Sequence, residues 1–225
     1  SAMVLKTREL LIGQRTQATN ALRAHLAEFG IIAGSGATKG VGGLVAVVRD
    51  ADDGRLPEAA RFALSRLADE IDFLARQIEA IDAWIVAETR ADEDARRLMS
   101  IPGVGVITAA SIRALVPDPS AFRSGRHFAA WLGLTPRAHS SGGKERLGRI
   151  SKMGNPTLRC LLVVGATAVM RTVGTGKAGP AWLAALMGRR PYKVAAVALA
   201  NKMARIVWAL LLKGGVYHAP ATPAV

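Results

Sequence analysis

Residues 137–155 read Arg137-Ala138-His139-Ser140-Ser141-Gly142-Gly143-Lys144-Glu145-Arg146-Leu147-Gly148-Arg149-Ile150-Ser151-Lys152-Met153-Gly154-Asn155. The cations Arg137, Lys144, Arg146, Arg149 and Lys152 are interleaved with small residues and hydroxyls. A segment of this kind can wrap a phosphate, because Gly142 and Gly143 leave backbone N–H groups bare and the cations offset charge on phosphoryl oxygens. Ser141, placed before two glycines, is sterically open in the way a nucleophile must be. A serine hydroxyl is a weak nucleophile without activation, and the nearby candidate bases are His139 and Glu145. On residue types and spacing alone, a basic binding loop and a catalytic loop are equally supported.

A second candidate is Ile101-Pro102-Gly103-Val104-Gly105-Val106-Ile107-Thr108-Ala109, which lies between two predicted helices. Gly103 and Gly105 would let the backbone approach a phosphate closely, with the free N–H groups of the next helix aimed at it. This pattern resembles the turn of helix-hairpin-helix DNA-binding motifs. The competing reading is an ordinary tight turn between helices.

Charge separates the two halves of the chain. The net charge is +13 over 225 residues. Residues 1–100 are close to balanced, with 13 Lys and Arg against 15 Asp and Glu, whereas residues 101–225 carry 17 Lys and Arg against only Asp118 and Glu145. A basic excess confined to one half is the footprint of a polyphosphate partner, whose condensed counterions are released on binding. Nucleic acid is therefore the expected partner, and a membrane surface is not.

The composition is that of a globular protein, at 50% hydrophobic residues. The lone Cys160 excludes an internal disulfide or a zinc site of paired cysteines, and His25, His127, His139 and His218 are scattered. No secretory leader is visible, so a cytoplasmic, nucleoid-associated protein is expected. Ser1-Ala2-Met3 reads as a cloning remnant ahead of a chain that starts mid-helix. The apolar runs 161–170 and 194–212 are read as core helices, the first being too short for a bilayer and the second interrupted by Asn201, Lys202 and Arg205.

The elements that must carry these segments are predominantly helical. Residues 4–29 predict a helix stopped at Gly30. The glycine-rich stretch 30–54 predicts a loop with a short apolar turn at 44–48. From 57 to 88, Leu64, Leu67, Ile71, Leu74, Ile78, Ile81 and Ile85 are spaced 3, 4, 3, 4, 3, 4, the seam of a coiled coil. This seam predicts an antiparallel hairpin with residues 4–29, with further self-association into a homo-oligomer. Asp92-Glu93-Asp94 favours a helix start, and a domain boundary is placed near residue 95. Helices are predicted over 106–115, 124–132, 156–171, 180–187 and 191–213, with Asn155-Pro156 as a capped start. Cys160, Trp131, Trp182 and Trp208 are predicted to pack in the core. The fold class is thus mostly α: long coiled-coil helices, residues 1–95, then a compact helical domain, residues 96–225, holding the helix-hairpin-helix-like segment.

Ile101-Pro102-Gly103-Val104-Gly105, Phe122-Arg123-Ser124-Gly125-Arg126, residues 130–137, Ser140-Ser141-Gly142-Gly143-Lys144, Gly148–Asn155, Leu158-Arg159, Arg189-Arg190-Pro191 and residues 198–205 occur in the order and spacing of one family. The run resembles the C-terminal domain of the insertion-sequence 110 family of transposases. The early stretch Thr7-Arg8-Glu9-Leu10-Leu11 to Asn20-Ala21-Leu22-Arg23 is similar to the helix that follows that family's acidic, RuvC-like domain. The resemblance implies a recombinase guided by a structured bridge RNA. It makes Ser141 the nucleophile on a DNA phosphodiester, with Ser140 as fallback. It makes Lys144, Arg146, Arg149, Lys152 and Arg159 phosphate-contacting or charge-stabilising groups, which join Arg137, Gly142 and Gly143 of the loop and Gly103 and Gly105 of the hairpin, read as DNA or phosphate contacts from their residue types. It also implies Mg2+ in the full-length protein, held by an acidic cluster that this sequence does not contain. The expectation is a chain that binds nucleic acid but, alone, does not complete strand exchange.

Overall fold

The computed structural model describes residues 2–32, 39–138, 147–175 and 180–218. The described residues form α1 (Ala2–Glu28), α2 (Lys39–Arg49), α3 (Glu58–Ala91), α4 (Glu93–Met99), α5 (Val106–Leu115), α6 (Gly125–Trp131), β1 (Pro136–Ala138), β2 (Leu147–Ile150), α7 (Pro156–Gly174), α8 (Ala181–Arg189) and α9 (Tyr192–Lys213), with a single 3-10 turn at Pro119–Ala121. The chain is mostly α, as its sequence predicts. It divides into two compact units, Ser1–Trp84 and Ile85–Val225.

In the first unit, α1 and α3 run antiparallel, since Arg8 near the start of α1 forms a bidentate ion pair with Asp82 late in α3. Leu22 and Leu26 at the other end of α1 share a core with Leu64, Ala68 and Ile71. The stretch predicted as a loop instead holds α2. Gly40, Gly42 and Gly43 each cost about 1 kcal/mol in a helix interior. Leu44, Val45 and Val48, at helical spacing, are buried in the same core, and full burial of such side chains contributes about 1.5–3 kcal/mol each. Tertiary burial therefore overrides local propensity here.

Arginines finish the connection. Arg49 at the end of α2 pairs with Asp72 at 2.5 Å, and Arg61 donates to the carbonyls of Val47, Val48, Asp50 and Asp53. The side chain and backbone N–H of Arg55 hold the Asp53 carboxyl down to about 2. Asp53 is thereby engaged within its own loop.

The second unit is built around α9, whose Ala195, Ala196, Ala200, Met203, Ala204 and Val207 are buried against α7, α6, α4 and α8. Small residues on α9 let these helices approach closely. Helices α7 and α9 are each long and apolar enough to cross a bilayer by length and composition. α7 is longer than its apolar run suggests, at 19 residues, and its Leu158, Leu162, Ala166 and Met170 belong to the core. Because these residues and Gly165 face inward, Cys160 faces out, contrary to the core position predicted for it. Trp131, Trp182 and Trp208 pack against the core as predicted.

Helices α4 and α5 flank the turn at 100–105. Asp92 caps α4 through the N–H of Ala95 and accepts from Arg113 Nε of α5 at 2.9 Å. Burial pushes its carboxyl up, but the Arg113 bond and the backbone N–H bonds outweigh this and leave it below the usual carboxylate value. Gly103 has φ 86°, and a Cβ there would stand 2.6 Å from the carbonyl oxygen of Gly165 on α7. Gly105 has open space and φ −90°. Gly103→Ala should therefore destabilise the protein by about 2–4 kcal/mol, from overpacking and left-handed backbone together, while Gly105→Ala, at the N-cap of α5 with open space around it, costs no more than about 1 kcal/mol in urea denaturation.

Candidate nucleic-acid interface

The catalytic candidates Ser140 and Ser141, with His139, Gly142, Gly143, Lys144, Glu145 and Arg146, lie outside the described residues. What the structure gives is their frame. Strands β1 and β2 are antiparallel, pairing Pro136 with Ile150 and Ala138 with Leu147, with an irregularity between. Their sequences are too short for alternation to be read, so the sequence predicts no strand here. Residues 139–146 join the two strands beyond the Ala138–Leu147 pair.

This ladder stands on two interlocked turns. Gly133, which ends α6 with φ 73°, lies so close to the backbone of Lys152 and Met153 that no Cβ fits. Gly154, with φ 79°, lies equally close to the carbonyl of Trp131. The N–H of Lys152 donates to Gly133 O at 3.2 Å and that of Ser151 to Thr135 O at 2.9 Å. Lys152 itself takes φ 56°, the single non-glycine left-handed residue among those described. Such backbone costs about 1–3 kcal/mol and persists only where its surroundings impose it. The surroundings here are the two glycine contacts and the paired N–H groups.

Three side chains brace the same turns. Arg159 of α7 donates from Nη1 to Leu132 O at 3.1 Å and to Met153 O at 3.2 Å. Asn201 of α9 donates to Leu134 O at 3.2 Å, and Arg137 of β1 donates to Ser151 O at 3.0 Å. Asn155 accepts from the N–H of Leu158 and caps α7, with Pro156 in its first turn, so the helix begins directly at the platform. Arg137, Arg149 and Lys152 are exposed on this platform. Arg159, expected as a phosphate contact, is half-buried, and its Nη1 braces the carbonyls of Leu132 and Met153. Gly103, also expected at a phosphate, makes its close approach to Gly165 of α7.

Sequence reasoning does not assign a second basic group. Arg126, Lys202 and Arg205 line an open groove of about 470 Å³ between α6 and α9, with Trp208, Ile206 and Leu210 among its apolar lining. Gly125 packs closely on α9: a Cβ there would meet Arg205 Cα at 3.1 Å, so a larger residue would push the two helices apart by a few tenths of an ångström. Lys202 Nζ lies 4.4 Å from the centroid of the Trp182 ring. Among the described residues no carboxylate pairs with any of the three cations. Their signal in the sequence is the i, i+3 spacing of Lys202 and Arg205 on one helix face.

Residues 95–179 match the model of the family described as "Transposase IS116/IS110/IS902 family". The chain is similar to a putative transposase of Sinorhizobium fredii, with 46% identity over 219 residues, covering 96% of this chain and 56% of that protein. It is similar at 42% identity over 214 residues to a probable family 20 transposase of Pseudomonas aeruginosa, covering 95% and 63%. It is also similar, at 40% over 220 residues, to the transposase for insertion sequence element IS1111A of Coxiella burnetii, covering 97% and 60%. The chain belongs to the IS110-type transposase family. It spans 56–63% of the length of these three transposases. The transposase family segment opens in α4 and includes the 100–105 turn, the interlocked glycines, both strands and all of α7.

Among the described residues, no three His, Cys, Asp or Glu side chains come together in a way that could hold a metal ion. The described residues do not by themselves make up a two-magnesium centre, which needs several convergent carboxylates.

The bracing role of Arg159 has a direct consequence. Arg159→Ala should lower stability by about 1–3 kcal/mol in DNA-free protein, because it leaves the carbonyls of Leu132 and Met153 without their donor. An unchanged urea midpoint, with only DNA affinity lost, would return Arg159 to the phosphate-contacting set.

Proposed function

We propose that this chain is the DNA-handling part of a transposase, in which the segment between β1 and β2 engages a DNA phosphodiester. The observation that carries this reading is the braced platform itself. Within the transposase-matched segment, strained backbone at Lys152 and two glycine interlocks hold the two strands from which the stretch with Ser140, Ser141, Gly142, Gly143, Lys144 and Arg146 departs. Backbone strain of this sort concentrates at functional sites.

In the proposed reaction Ser141 Oγ attacks the phosphorus, with Ser140 as the alternative nucleophile. An Oγ–P bond forms as the bond from phosphorus to one deoxyribose oxygen breaks. The serine proton passes to a base, for which His139 and Glu145 are the candidates within the segment, and the departing oxygen takes up a proton to become a hydroxyl. Gly142 and Gly143 offer backbone N–H groups, and Lys144, Arg146, Arg149 and Lys152, with Arg137, offset the phosphoryl charge. An acidic, magnesium-binding domain outside these 225 residues would cooperate, and a structured guide RNA would select the DNA. The chain alone is then a nucleic-acid-binding and self-associating part, working on nucleoid DNA in the bacterial cytoplasm, that does not complete strand exchange.

The test is trapping. Full-length protein with cognate DNA and RNA should give a denaturation-resistant protein–DNA adduct that disappears in Ser141→Ala. An adduct that survives in Ser141→Ala and is lost in Ser140→Ala moves the nucleophile by one residue. If no adduct forms, yet Lys144→Ala, Arg149→Ala and Lys152→Ala each weaken binding and flatten its salt dependence, the segment grips phosphates without catalysis.

A further inference from the structure

Helix α3 carries two faces. The seam residues Leu64, Ile71, Leu74 and Ile78 are buried, the first two in the core shared with α1 and α2. A different face remains uncovered, and it is aromatic: Phe62 is 70% exposed, Phe73 47% and Trp84 45%. These three stand 11 residues apart, about three full turns at 3.6 residues each, so they form one line about 33 Å long on a straight helix. Viewed down the axis the line lies about 120° from the buried seam.

We propose that this aromatic line is a self-association face, on which a second copy of α3 packs antiparallel about a two-fold axis at Phe73. The proposal rests on the reading that the chain self-associates, and it moves that contact from the coiled-coil seam to the opposite side of α3. Three features of the sequence argue for this occupant. The line is symmetric about Phe73, so an antiparallel copy sets Phe73 on Phe73 and Phe62 on Trp84 at both ends. Arg66, which lies over the Phe62 ring with its guanidinium carbon 5.8 Å from the centroid, then faces the small Ala80 of the second copy. Asp69 and Arg76 lie on one flank, seven residues apart, and the same axis brings Asp69 of one copy beside Arg76 of the other.

Arg76 has no ion-pair partner among the described residues, whereas Asp69 already draws Arg66 and Arg49. The pairing is therefore self-complementary in charge as well as shape, the requirement for an isologous two-fold contact. The six rings, allowing for their present burial, would cover roughly 600 Å². The stems of the flanking residues bring the total toward the roughly 1,000 Å² of a specific interface.

The test is cysteine cross-linking of the full chain with the exposed native thiol removed by Cys160→Ser, beside sedimentation of the unaltered chain. Unaltered chain should dimerise, and Phe73→Asp should weaken the dimer at least tenfold while far-ultraviolet circular dichroism stays unchanged. On oxidation, Phe73→Cys should cross-link to itself. Phe62→Cys and Trp84→Cys should cross-link only when the two are mixed, because like positions sit about 33 Å apart, far beyond disulfide reach. Self-cross-linking of Phe62→Cys would mean parallel pairing and overturn the proposal. A dimer indifferent to Phe73→Asp would keep self-association but place it on another face, which also overturns the proposal. A chain that stays monomeric at about 100 μM would overturn both, leaving the aromatic line to a different protein segment.

Discussion

Backbone lying directly on backbone is the constraint that organises the second unit. At Gly103 on Gly165, Gly133 on Met153 and Gly154 on Trp131, a side chain as small as a methyl group would collide with a main-chain atom, and at Gly125 on Arg205 it would be a tight contact. These contacts bring α5 onto α7, α6 onto α9, and the turn after α6 onto the turn before α7. Gly133 and Gly154 define the platform, and their left-handed φ values are ones that glycine adopts without the cost an L side chain would meet. Every described part of the candidate site, from the strand ladder to the cap of α7, is set by where those two glycines meet.

The two units divide chemical labour. In the first, Arg8, Arg49, Arg55 and Arg61 close ion pairs or cap carbonyls, so much of the positive charge is used internally. In the second, Arg97 and Arg113 are consumed by Asp92, Glu93 and Asp94 in and beside α4, while Arg126, Arg149, Lys152, Lys202 and Arg205 have no carboxylate partner among the described residues. Uncompensated charge on a rigid helical body is suited to a polyanion, and it draws most of its strength from counterion release.

Much of this is legible in the amino-acid sequence. Periodicity marks α1, α3, α5, α7 and α9 nearly to their ends, because each buries a stripe at helical spacing, and Asn155-Pro156 marks the start of α7. α2 is not legible, since its glycines signal a loop and only the shared core with Leu22, Leu26 and Leu64 makes it helical. The strands escape notice because three and four residues are too few to alternate. The outward turn of Cys160 is hidden in a uniformly apolar run, where the pattern carries no phase. Basic residues are found readily, but their tasks are not: only the geometry separates Arg159, which braces carbonyls, from Lys152, which stands exposed on imposed backbone. The Lys202–Arg205 groove is lined also by Gly125 from another helix, a contact that no local pattern announces.

The claim that the platform is a rigid frame, and not a surface loop, is tested most directly by native-state hydrogen exchange at the amides of Ser151 and Lys152, which donate to Thr135 O and Gly133 O. The interlock predicts opening free energies within about 1 kcal/mol of core amides such as Ala200 and Met203 on α9, and loss of that protection in Gly154→Ala. Exchange of the two amides at the rate of a fraying terminus, while the α9 amides stay protected, would contradict it.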